Sequence, residues 1–96
     1  AGTGSEILPN EFKLFAPYPN PFNPVTTIRF TLGQAEKVTL RIYNINGRLA
    51  DTLINDKLAP GDYEVRWLAE GFASGVYFVK MESGPFLATE KLILLK

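Results

Sequence analysis

Six residues, Pro19-Asn20-Pro21-Phe22-Asn23-Pro24, constrain this chain more than any other stretch. Each proline fixes φ and removes a backbone donor. The residue before each proline is pushed towards extended or polyproline conformations. Neither a helix nor the interior of a central strand can contain such a segment, so it must be a stiff crossing or corner. Tyr18 and Phe22 are its large apolar groups and are expected to pin it to a core. Asn20 and Asn23 suit turns in which a side-chain amide bonds the local backbone.

Beyond the block, apolar and polar residues alternate. Over Val25 to Leu32, the residues Thr26, Ile28, Phe30 and Leu32 share one face, and Val25, Thr27, Arg29 and Thr31 share the other. Period two with β-branched and aromatic residues is the signature of a half-buried strand. Lys37 to Tyr43 repeats it with Val38, Leu40 and Ile42 inward. Asn46-Gly47 is a hairpin signal, because a two-residue type I′ turn requires φ > 0 at both central positions. Arg48 to Ile54 is then the returning strand, with Leu49 and Leu53 inward, and Asn55 to Pro60 is a polar connection. After Gly61, Asp62 to Leu68 places Tyr63, Val65 and Trp67 inside. Ala69 to Gly75 reads as a loop. Val76 to Glu82 places Tyr77, Val79 and Met81 inside, and Ser83-Gly84-Pro85 turns the chain into a last strand, Phe86 to Leu95. A short edge strand around Phe12, Leu14 and Phe15 precedes the block. Seven short strands separated by turn signals predict an all-β, antiparallel, immunoglobulin-like sandwich with Trp67 at the centre of its core.

Composition removes several functions. The chain has no cysteine and no histidine, so disulfides, the common zinc ligands and Ser-His or Cys-His nucleophile systems are excluded within it. Ten basic and ten acidic residues cancel, which argues against the basic excess of a nucleic-acid binder. No apolar run approaches the ~20 residues of a membrane-spanning helix. Ninety-six residues make one domain, with residues 1–10 read as a flexible linker or cloning remnant and 11–96 as the folded unit.

The remaining candidates for chemistry have plainer readings. Asp62 and Glu64 share a strand face, as solvating charges do. Asp51 and Asp56 could contribute to a calcium site, but their spacing matches no calcium loop. Tyr43, Phe72 and Phe86 are the aromatics that a carbohydrate-binding surface would display, although aromatics more often fill small cores. The expectation is a non-catalytic domain with no cofactor and no metal. The run Leu92-Ile93-Leu94-Leu95 is apolar on both faces, so the last strand is either covered or pairs with something, including a second copy by strand exchange.

Taken in order, these stretches form a known pattern. Tyr-Pro-Asn-Pro-Phe-Asn-Pro at 18–24 leads into Thr26-Thr27-Ile28-Arg29-Phe30. Val38-Thr39-Leu40-Arg41-Ile42-Tyr43-Asn44 runs into Asn46-Gly47-Arg48, followed by Pro60-Gly61, Trp67, Ala73-Ser74-Gly75-Val76-Tyr77-Phe78 and the closing Lys91-Leu92-Ile93-Leu94-Leu95-Lys96. The series resembles the C-terminal sorting domains of the type IX (Por) secretion system of Bacteroidetes, over roughly Phe12 to Lys96. It departs from the usual pattern at turns: Ala16-Pro17 precedes the block, Tyr43-Asn44 precedes the hairpin and Leu68-Ala69 follows Trp67.

The resemblance implies an export address at the end of a secreted protein, placed at the cell surface or released. Its implied partners are an N-terminal cargo domain, the type IX translocon and a surface sortase that removes the domain within or before residues 1–10 and joins the cargo to lipopolysaccharide. It singles out Tyr18, Pro19, Asn20, Pro21, Phe22, Asn23 and Pro24, then Asn46, Gly47, Arg48, Gly61, Gly75 and Tyr77, and finally Lys91, Leu94 and Lys96. Separately, the two-faced apolar run at the chain end leads to the expectation that Thr89 to Lys96 offers an edge that a translocon component could read by strand addition. The alternative is an immunoglobulin-like spacer or a carbohydrate-binding accessory module of a larger extracellular enzyme.

Overall fold

The computed structural model describes residues 11–96, so the expected linker at 1–10 lies outside the described residues. The chain folds as seven strands: β1 (Phe12–Leu14), β2 (Val25–Leu32), β3 (Glu36–Asn44), β4 (Leu49–Leu58), β5 (Gly61–Leu68), β6 (Gly75–Ser83) and β7 (Phe86–Leu94). They form two antiparallel sheets, ordered β1-β2-β5 and β4-β3-β6-β7. This is the immunoglobulin-like sandwich that the alternation predicts. β4 stays beside β3 in the second sheet and does not cross to β5.

The inward phase of each strand fills the space between the sheets. Ile28, Phe30 and Leu32 of β2 meet Val38, Leu40 and Ile42 of β3, Val79 and Met81 of β6, and Leu92 and Leu94 of β7, none more than 1% exposed. Each such burial is worth about 1.5–3 kcal/mol, more than one hydrogen bond at about 1 kcal/mol, so this layer is the main drive to fold. Trp67 is 1% exposed. Phe22, Phe72 and Tyr77 surround it at ring-centroid distances of 5.4–5.6 Å, and its indole N–H donates to Asp51 Oδ2 at 3.0 Å. The Tyr77 hydroxyl donates to the Ala73 carbonyl at 2.6 Å and tethers the loop before β6, as in the tyrosine corner of immunoglobulin-like domains.

The strand β4 departs from the expected pattern in two ways. It runs on to Leu58, pairing Asp56 and Lys57 with Val38 and Lys37, where a polar connection is expected. Its register against β3 also shifts twice, between Leu40 and Arg41 and between Ile42 and Tyr43. Each bulge inserts a residue and flips the phase beyond it. Leu53 still packs against the core, but Leu49 ends opposite Tyr43 on the outer face and is 56% exposed.

The β3–β4 hairpin differs as well. Gly47 has φ +82°, yet no described non-glycine residue has positive φ, so the two-residue type I′ turn is not formed. Gly47 N–H donates to Asn44 O and Asn44 N–H to Arg48 O. The result is a three-residue loop with glycine in the left-handed position. The Asn44 side chain decides it, because its Oδ1 accepts from both Asn46 N–H and Arg48 N–H. The other tight turn, Gly84-Pro85, puts φ +59° at its first central residue, where a type II′ hairpin needs glycine.

Candidate functional site

The proline block crosses from one sheet to the other and ties both to the end of the chain. It starts beside β2, where Tyr18 N–H donates to Thr27 O and Thr27 N–H to Tyr18 O. The buried Thr26 hydroxyl donates to Pro19 O at 2.7 Å, which explains a threonine on the inward face of β2. Next the block reaches β7. Phe22 N–H donates to Ile93 O at 2.9 Å, and Leu95 N–H donates to Phe22 O at 3.0 Å, a parallel bridge. The Asn20 side chain makes two more bonds: its Nδ2 donates to Lys91 O at 2.8 Å, and its Oδ1 accepts from Ile93 N–H at 2.9 Å. Finally Ala69 N–H donates to Pro24 O at 2.8 Å, fixing the block to the end of β5. Prolines are tolerated here because an edge segment needs few donors.

Two expectations for the block change. Phe22 pins it, at 3% exposed, but Tyr18 is 79% exposed and engages β2 through its backbone alone. Asn20 does not fold back on its own turn; it bonds β7 residues 71 and 73 positions away. Asn20 is therefore the clamp residue, and Thr26 is its support from β2. The sequence held no signal for either role: the partners of Asn20 lie more than seventy residues on, and the Thr26 bond to Pro19, seven residues back, forms only because the block folds against β2. Two backbone groups rest on the Asn20 amide at about 0.5–1.5 kcal/mol each, discounted because water replaces them. Asn20→Ala is expected to cost about 1 kcal/mol and to speed amide exchange at Ile93 selectively; unchanged Ile93 protection would show that the clamp is not held in solution.

This clamp bears on the last strand. The edge of β7 from Lys91 to Leu95 is already occupied by Asn20 and Phe22. The expected open edge over Thr89 to Lys96 is thus mostly closed, and Leu92 and Leu94 of its apolar run are buried because they face the core. Lys96 N–H is tied in turn to Ser74 Oγ at 2.9 Å. Register places Gly75 opposite Leu94, Tyr77 opposite Leu92, and Asn44 opposite Tyr77. The hairpin Asn46-Gly47-Arg48, Gly75, Tyr77, Lys91, Leu94 and Lys96 therefore gather with the block at one end of the sandwich. Gly61 does not: it pairs with Leu32 at the other end.

Several of the side chains weighed for catalysis, calcium or glycan binding have partners within the fold. Asp62 accepts the Thr31 hydroxyl at 2.7 Å, and Glu64 lies opposite Arg29. Asp51 is engaged by Trp67, and among the described residues no three acidic side chains converge. Phe72 packs on Trp67 and Phe86 stacks on Phe12, so neither belongs to an exposed aromatic platform.

A family model described as the secretion system C-terminal sorting domain matches residues 16–95, spanning the block, the core strands and the last strand together. The chain belongs to this family. None of the curated proteins matches it. Two solved structures from Porphyromonas gingivalis share the sorting-domain fold. Dimeric latent PorU superposes at TM-score 0.67 with 19% identity over 88% of this chain and 9% of that one. PorZ, a surface component of the type IX secretion system, superposes at TM-score 0.60 with 24% identity over 88% of this chain and 11% of that one. The sorting domain thus spans about a tenth of the length of each. No helix among the described residues is long and apolar enough to cross a membrane.

Proposed function

We propose that this sorting domain is the export address of a longer protein, that the type IX machinery reads it, and that it acts as signal and substrate without catalysing a reaction. The observation that carries this reading is the family match over residues 16–95, which takes in both halves of the clamp. The order of motifs from Tyr18 to Lys96 and the likeness to folds found in type IX components support the same system. The cargo would precede the domain, and a surface sortase would cut before the folded unit. Destination follows from that route: the cell surface or the medium. Strand addition by a translocon component at β7 fits two situations. Either it uses the edge left open at Phe86 to Glu90, or it displaces Asn20 and Phe22. Strand exchange between copies through Leu92 to Leu95 meets the same obstacle.

Fusing all 96 residues to a secreted periplasmic reporter tests the reading in a type IX-competent host. Surface or extracellular reporter is expected only with the domain attached and the system intact. Reporter retained in the periplasm would refute the address, and delivery in a system-disabled host would refute the route.

A further inference from the structure

The outer faces of the two sheets follow opposite charge rules. On β2 and β5, two outward cross-strand pairs are complementary, Arg29 with Glu64 and Thr31 with Asp62, while Arg66 faces the neutral Thr27, and no like charges stand opposite each other. On the four-stranded sheet the outward phase carries Lys37, Arg41, Lys57, Lys80 and Lys91 against one acid, Glu82. Two pairs stand directly opposite each other with like charge, Lys37 with Lys57 and Arg41 with Lys80. Such pairs are destabilising. A chain with no net charge has thus concentrated cations on one face against its own stability. Arg41 adds an unmet need: its Nε is buried with no hydrogen-bond partner among the described residues.

The same face has an apolar end. Tyr43 lies opposite Phe78, and Leu49 extends that row outward. Lys80 Nζ sits 5.8 Å from the Tyr43 ring centroid, which joins the cationic and aromatic parts. Tyr43 and Phe78 are half-buried, so the face carries no fully exposed aromatic wedge for a bilayer. An apolar centre bordered by charge is the anatomy of a protein–protein interface.

We propose that the outer face of the β4-β3-β6-β7 sheet is the docking surface for an acidic protein face, with carboxylates over Arg41, Lys80 and the Lys37–Lys57 pair and an apolar patch over Tyr43 and Phe78. This rests on the export-address reading and names the surface by which a protein of that machinery holds the domain. Complementary charge steers association and sets specificity.

The like-charge pairs make the test clean. In the 96-residue reporter fusion, Lys37→Glu with Lys80→Glu replaces both repulsive pairs with attractive ones. The thermal midpoint is expected to stay or rise, while the surface-delivered fraction falls at least tenfold. Lys37→Arg with Lys80→Arg is expected to deliver normally, as is Arg66→Glu on the other sheet. Unchanged delivery of the Glu double variant, with the parent fusion delivered, would overturn the docking surface and leave the address intact. Failure of the parent fusion would overturn the address itself. Sedimentation with vesicles of phosphatidylglycerol and phosphatidylcholine at physiological salt supplies the remaining arm. Vesicle binding by the parent, lost in the Glu variant, would assign the face to an anionic membrane and overturn the protein partner; no vesicle binding supports it.

Discussion

Phe22→Ala is expected to lower the unfolding free energy by about 3–5 kcal/mol, the usual cost of emptying an aromatic site in a core. Phe22 is 3% exposed and its ring centroid lies 5.6 Å from that of Trp67. Its backbone N–H and C=O hold β7 in wild type and are unaltered by the substitution, so the loss reports the side chain alone. Domains of this size have about 5–15 kcal/mol in total, and the change would consume a large part of it. Urea unfolding followed by Trp67 fluorescence measures it. A loss below about 1 kcal/mol would mean that the proline block is draped on the sandwich and does not belong to its core.

Removing residues 92–96 is expected to do more. Leu92 and Leu94 are both 0% exposed, and deleting a buried leucine side chain costs about 2–5 kcal/mol. The truncation also removes the backbone partners of Phe22 and half of the Asn20 clamp. Together these losses reach the whole stability expected of such a domain, about 5–15 kcal/mol. The truncated chain is expected to lose its cooperative unfolding transition in calorimetry, whereas a sharp transition near the parent midpoint would show that the block holds without β7.

The strands were legible because period two survives wherever a sheet has one wet face. Val25 to Leu32 and Asp62 to Leu68 show it plainly, and every residue expected to face inward there is buried in the core or packed against it. Leu49 of β4 departs from the alternation because a bulge adds a residue without changing composition, and two bulges lie opposite β3. The hairpin departs from the type I′ turn because Asn46-Gly47 fits two loop types, and the Asn44 carboxamide, bonding two amides, selects one. Local preference sets a menu, and a neighbouring side chain chooses from it.

The block was legible as a rigid corner but not as a clamp. Proline chemistry dictates what Pro19 to Pro24 cannot be, whereas direction decides what it holds: Phe22 points in and Tyr18 points out. Nothing in a seven-residue stretch indicates that Asn20 bonds a strand more than seventy residues on. The charged outer face was hidden for a related reason. A net charge of zero averages two sheet faces that register separates.

The export address is expected to depend on the proline block and the last strand as one clamped unit. Surface delivery of a reporter fused to the domain, compared with and without residues 92–96 in a type IX-competent host, tests this most directly. The full chain should place the reporter on the surface, and the truncation should leave it in the periplasm. Equal surface delivery of both would contradict the dependence.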